Sequence, residues 1–198
     1  SLNNAGVDFA DITDVVLTHL HFDHCGGSVM WNSTKDNYKL VFPNANYWVH
    51  PAHWEHAINP NPREKPSFLK ENMLPIQELG HLKFIGEDLK ISDNISGILA
   101  QGHTESMFCP KIKVGDKTLV FMADMIPSIG HIKPNYVMGY DIRPLETMKE
   151  RAFFLDEAVK GDYILFFEHD LNIECGKVTK GDRGYKLGNA GQITDFFT

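Results

Sequence analysis

Between His19 and His24 the chain places three histidines and an aspartate within six residues, directly behind the apolar, β-branched run Val15-Val16-Leu17. The run reads as a buried strand, and the polar cluster sits where that strand stops. His19 and His21 are two apart, so in an extended segment their side chains point the same way and can reach one ion. On a helix, at about 3.6 residues per turn, the same spacing would turn them about 200° apart. Asp23 and His24 follow at the bend, where the backbone can aim them at a second ion. A lone histidine is more often a satisfied polar group than a ligand, but four candidate ligands this close would be costly without a cation. Imidazole and carboxylate together suit zinc or another divalent first-row metal. Gly26-Gly27 lets the chain turn tightly and start a helix close by.

The stretch Thr18-His19-Leu20-His21-Phe22-Asp23-His24-Cys25-Gly26-Gly27 resembles the T-H-x-H-x-D-H-x-G-G signature of the metallo-β-lactamase fold superfamily. The resemblance implies an α/β fold, an αββα sandwich, with residues 1–198 forming a single domain of that type. Members of the family lay down several strands before this signature, whereas this chain enters the metal-binding strand by Asp14. The domain is therefore expected to be partial and N-terminally incomplete.

Composition excludes some other readings. Of 198 residues, 42% are apolar and 23% charged, which is ordinary for a globular protein able to bury a core. The net charge of −7 comes with no Lys/Arg cluster and disfavours a nucleic-acid or anionic-membrane partner. No apolar run approaches the roughly 20 residues of a membrane span. The cysteines, Cys25, Cys109 and Cys175, are odd in number and widely spaced, which suits neither a disulfide framework nor a zinc ribbon. A reducing, cytoplasmic location is the expectation.

Along the chain, Leu2–Ala5 with Gly6 reads as a helix tail with a glycine stop. Asp14–Thr18 is the strand before the histidines, and helix is expected after His24 through Val29 and Met30. Asn44–His50 reads as a strand, with Pro51 placed for the first turn of a helix through Trp54 and His56. Three prolines make Asn59–Pro66 a loop or lid. Phe68–Leu79 reads as helical to Met73-Leu74, with Pro75 interrupting. Strands are expected at Leu82–Ile85, Ile95–Ala100, Phe108–Val114 and Thr118–Met122, with a turn at Gly115-Asp116. Pro144–Lys160 is the clearest helix, with Leu145, Met148, Ala152, Leu155 and Val159 on one face. Tyr163–Phe167 is a near-continuous apolar strand.

Three of these strands end in candidate ligands: His103 after Ile98-Leu99-Ala100, Asp124 after Leu119-Val120-Phe121-Met122, and Glu168-His169-Asp170 after Ile164-Leu165-Phe166-Phe167. In open α/β sheets sites form beyond the carboxyl ends of strands, so these residues can converge on the first cluster. The resemblance assigns His19, His21 and His103 to one metal, Asp23, His24 and His169 to the second, and Asp124 to the bridging carboxylate. It implies two Zn2+ ions, with Mn2+ or Fe2+ as the other candidates. Asp23 and Asp124 are the expected catalytic residues. In such a pair, ions roughly 3.5–4 Å apart share a water and lower its pKa toward about 7. The implied function is a hydrolase in which metal-bridged hydroxide attacks an ester-like bond and Asp23 later carries a proton to the leaving group. No Ser or Cys nucleophile is needed, and Cys25 reads as a small buried residue packing behind the metal loop. Glu168 and Asp170 read as surface or supporting groups, with Asp170 a candidate to orient a histidine. Of His50, His53 and His56, the last two are three apart on the expected helix, but with no carboxylate partner they do not read as a further metal cluster.

The expected partner is a small-molecule substrate (lactone, ester, thioester or phosphotriester), with a homodimer as the assembly left open. Phe22, the Trp48–His56 segment and the apolar, aromatic stretch Ile126–Tyr140 are the candidate pocket; the last either packs down as core cover or lines the substrate. Within the family the chain resembles the branch of quorum-signal lactonases and organophosphate hydrolases. It departs from many lactonases in having Pro127 where a Tyr follows the bridging Asp, and Glu105-Ser106 where Pro-Gly follows Gly-His-Thr. Both departures count against lactone hydrolysis. Alternatives are a mononuclear iron dioxygenase of the same fold and a non-catalytic metal-binding regulatory protein.

Overall fold

The apolar run before the histidines forms a strand, β1 (Asp14–Val16), shorter than its sequence pattern suggests. The computed structural model describes residues 2–197 and separates into two units, Ser1–Gly86 and Glu87–Thr198. In the first unit the chain leaves β1 extended, enters a one-turn helix α1 (Phe22–Cys25), and continues as a 3-10 turn to Ser28. It does not stay helical through Met30. Val29–Trp31 is instead a strand, β2, paired antiparallel with β3 (Tyr38–Leu40), because two successive glycines cannot carry a helix and the β-branched and aromatic residues after them suit a ladder. The hairpin is closed by Asn32, whose side-chain amide donates to Asp36 at 2.7 Å, and by Trp31 stacked on Tyr38.

Strand β4 (Asn46–Val49) then runs parallel to β1, with Val15 opposite Tyr47. The helix α2 (Pro51–Ile58) starts on Pro51 as expected and buries His53, Trp54 and Ala57. Helix α3 (Lys70–Glu78) passes through Pro75 instead of ending before it. The missing N–H would serve only the carbonyl one turn back, and burial of Met73, Pro75 and Ile76 offsets that loss. Strand β5 (Leu82–Phe84) completes a parallel sheet of order β1-β4-β5. Leu17, Leu20, Tyr47, Val49, Trp54, Met73 and Ile76 form the core beneath it. The residues immediately after β1 are thus core residues, which is what fixes the histidines between them.

The second unit is built on one six-stranded sheet, β6 (Ile95–Ala100), β7 (Met107–Val114), β8 (Lys117–Phe121), β9 (Ile164–Phe166), β10 (Cys175–Gly181) and β11 (Gly184–Gly191). Its order is β11-β10-β9-β8-β7-β6, and every pair is antiparallel except β8–β9. That parallel pair requires a crossover, supplied by helix α4 (Pro144–Lys160). Strands β10 and β11 carry no strong alternation in sequence. Their glycines blur the pattern, and they pair around the turn Gly181–Gly184 with a bulge between Gly176 and Val178.

Helix α4 has the expected ends but a buried face rotated from the expected one: Leu155 is buried as expected, Leu145 is 72% exposed, and Thr147, Arg151, Phe154 and Ala158 complete the face toward the core. The two stripes differ by about a third of a turn; the one containing a fully buried arginine holds because that arginine finds backbone acceptors.

Among the described residues, no helix is long and apolar enough to cross a membrane.

Candidate metal centre

In the first unit the ladder continues past β1 by one hydrogen bond, from the Leu17 amide to the Trp48 carbonyl at 3.0 Å. Thr18, His19, Leu20 and His21 are all buried. The two-residue spacing brings the rings of His19 and His21 to 4.7 Å between centroids, nearly edge-on at 82°. The chain then turns: the His24 amide donates to the His21 carbonyl, and the His24 ring arrives 3.9 Å from that of His19. Asp23, in the first turn of α1, places Oδ2 3.5 Å from His24 Nε2 and remains half-exposed, while the His24 side chain is buried. Cys25 is fully buried and donates its thiol to the Leu20 carbonyl at 3.3 Å. Burial, aided by the Asp23 charge, pushes that thiol up to about 12, which keeps it protonated behind the loop.

Several groups that sequence reasoning does not single out hold this loop. His53, on α2, accepts the Leu20 amide on Nε2 at 2.8 Å, which places the ring proton of the neutral imidazole on Nδ1. The Thr18 hydroxyl sits 3.1 Å from His19 Nδ1, which makes Nε2 the nitrogen suited to an ion. Glu64, in the Asn59–Pro66 loop, is only 3% exposed. One of its oxygens lies 3.7 Å from His21 Nε2 and the other 2.8 Å from His56 Nε2. His53 thus serves the loop backbone, and His56 has in Glu64 a carboxylate partner that the sequence does not reveal.

In the second unit Asp124 lies between two imidazoles, with Oδ2 3.0 Å from His103 Nε2 and Oδ1 3.3 Å from His169 Nε2. A carboxylate offering one oxygen to each side is the arrangement a bridging ligand needs. Ala123, immediately before it, is fully buried at φ +45°, a left-handed conformation unusual for a residue with a Cβ. This bend turns the chain from β8 toward Asp124; strain of this kind gathers at functional sites.

His103 has a second carboxylate neighbour in Asp141, 3% exposed, with Oδ1 3.0 Å from Nδ1. Burial opposes protonation of this ring, but hydrogen bonds and charge from Asp124 and Asp141 outweigh it and lift its pKa to about 9. The carboxylates that attract a proton to His103 would equally attract a divalent cation.

The His103 loop is seated on α4. Glu150 accepts the Gln101 amide at 2.6 Å and the Gly102 amide at 3.0 Å. Gly102 packs so closely that a Cβ there would fall 2.3 Å from the Thr147 nitrogen. Arg143 donates to the Gln101 carbonyl and pairs with Glu105 at 2.5 Å. Ser106 follows at φ +53°, with its amide donated to the Gln101 side chain. The Glu105-Ser106 departure from the Pro-Gly pattern thus leaves a loop held by an ion pair and a side-chain bridge. Asp170 does not orient a histidine; it accepts the amides of Ile129, Asn172 and Ile173 and anchors the stretch after Asp124. In that stretch Ile126 and Ile132 are core, while Tyr136 and Tyr140 are 51% and 80% exposed. Arg151, fully buried, donates to the carbonyls of Met125 at 2.9 Å and Tyr136 at 2.7 Å. The first half of Ile126–Tyr140 is therefore core cover.

The sequence model of the metallo-beta-lactamase superfamily matches residues 2–169. No curated protein sequence gives a significant match. Among solved structures, a probable metal-dependent hydrolase from Staphylococcus aureus is 25% identical with a TM-score of 0.83, over 96% of this chain and 65% of that one. AidC, a dizinc quorum-quenching lactonase solved with a product, is 25% identical with a TM-score of 0.83, over 98% of this chain and 69% of that one. The hydrolase AbOPH of the beta-lactamase superfamily shares the fold at 21% identity and a TM-score of 0.77, over 94% of this chain and 67% of that one. This chain thus spans 65% to 69% of the length of the first two structures.

Proposed function

We propose that this chain, which belongs to the metallo-beta-lactamase superfamily and has its fold, is a metal-dependent hydrolase of ester-like bonds in small molecules. The observation that carries the reading is Asp124, with one oxygen toward His103 and the other toward His169. By the family's ligand pattern, His19, His21 and His103 would hold one ion, Asp23, His24 and His169 the second, and Asp124 would bridge them. Imidazole with carboxylate is a donor set for zinc, and the dizinc state of AidC supports two ions here. Bound there, a cation pair would supply Lewis acidity and a water ionised near neutral pH.

The chain's own residues do the rest. Asp141 on His103 Nδ1 keeps Nε2 directed at Asp124, and Glu150 fixes the backbone that carries the ring. Asp23 is half-exposed, and its outer oxygen would carry a proton toward a departing alkoxide or thiolate. Lactones, esters, thioesters and phosphotriesters share an electrophilic centre that suits this arrangement, and Pro127, which is buried, cannot offer the phenol found at that position in many lactonases.

Metal content per chain after purification without chelator is the test, followed by turnover on those four substrate classes. The expected result is about two equivalents of zinc and hydrolysis of at least one class. One equivalent of iron would replace the hydrolase with the dioxygenase reading. His21→Ala should lose metal and turnover together; a variant keeping both would contradict the ligand assignment.

A further inference from the structure

Glu64 is a carboxylate in a proline-flanked loop that nonetheless lies buried at 3% exposure. Burying a carboxylate is costly unless charge and hydrogen bonds compensate. Here the compensation comes from the loop itself and from two histidines. The Asn61 side-chain amide donates to Glu64 Oε2, while the Asn61 side-chain oxygen accepts the Arg63 and Glu64 amides at 2.9 and 3.0 Å. His56 Nε2 lies 2.8 Å from the same Oε2. Oε1 faces His21 Nε2 at 3.7 Å. Phe68 covers the group, with its ring 4.8 Å from that of His21 and 5.8 Å from that of His56.

We propose that Glu64 is a positioning residue for His21: the charge on Oε1, 3.7 Å from Nε2, favours the Nε2–H tautomer and leaves Nδ1 to bind the metal, while Oε2 ties this to the loop of residues 59–67 through His56. The inference rests on the metal-site reading above. A carboxylate behind a ligating histidine fixes ring orientation and raises ligand basicity, and losing such a partner typically weakens metal binding about 10–100-fold. It also follows that metal binding and order in the loop are linked, because the same carboxylate serves both.

The test compares wild type, Glu64→Gln and Glu64→Ala, with zinc alone as the probe. Zinc affinity is read by chelator competition, the His21 tautomer by 15N chemical shifts of the zinc-free chain, and folding by circular dichroism and thermal unfolding of that form. Glu64→Gln, which keeps size and polarity, should bind zinc about tenfold more weakly and lose preference for Nε2–H on His21, with zinc-free unfolding near that of wild type. Glu64→Ala should weaken zinc further. Wild-type affinity and tautomer in Glu64→Gln would overturn the inference and leave the metal site standing. A wild-type chain that binds no zinc would overturn both.

Discussion

In the first unit four candidate ligands lie within six consecutive residues, and the turn from β1 into α1 brings three imidazoles together, with His53 and Glu64 as supports behind them. In the second unit three candidate ligands come from the ends of three strands, and each has a separate support: Glu150 and Asp141 for His103, the strained Ala123 for Asp124, and Asp170 with the loop after Asp124 for the segment carrying His169. A contiguous ligand set is brought together largely by its own backbone, whereas a dispersed set depends more heavily on anchors that bind no metal. Damage to anchors should therefore tell more heavily in the second unit.

The largest effect is expected from Arg151→Ala, which removes charge-assisted bonds to four backbone carbonyls, those of Met125, Lys133, Pro134 and Tyr136, and opens a cavity under α4. About 3–5 kcal/mol of stability should be lost in urea unfolding. A loss below 1 kcal/mol would show that the stretch after Asp124 holds its shape without the arginine. Next, Glu150→Ala leaves the Gln101 and Gly102 amides without their acceptor, and should cost about 2–3 kcal/mol and lower zinc affinity. His53→Ala, the matching experiment in the first unit, removes one acceptor from Leu20 and should cost about 1–3 kcal/mol, with zinc affinity falling less than in Glu150→Ala. The reverse ranking would end the contrast between contiguous and dispersed ligands. Smallest, Ser106→Gly should raise stability by about 0.5 kcal/mol: relief of the left-handed conformation exceeds the entropy gained by the unfolded chain. A melting temperature that falls instead would mean the Ser106 hydroxyl matters to the Gln101 bridge.

The same contrast governs what can be read from the sequence. His19, His21, Asp23 and His24 are legible because strand geometry and a bend suffice to bring them together. His103, Asp124 and His169 are legible as residues that follow apolar strands. Their supports are not. Glu64 sits in a segment whose prolines say only that it is irregular, and Glu150 and Arg151 look like solvent-facing charges until a distant loop supplies backbone partners. The misread face of α4 has that cause: Leu145 and Val159 look like core and Arg151 does not, yet carbonyls from residues 125–136 make arginine the better buried group. Strands β10 and β11 escape notice because their pairing partners, not their own side-chain pattern, define them.

The parallel pair β8–β9 also orders events in time. Hairpins β6–β7 and β7–β8 close short loops, but β9 can join β8 only after the chain between Met122 and Tyr163, α4 included, has doubled back. Contacts this remote in sequence form late because loop closure must precede them. Asp124 and His169 are the residues at the two ends of that closure. A refolding chain should therefore recover sheet signal before it can hold zinc, and stopped-flow traces in which the two signals rise together would refute that order.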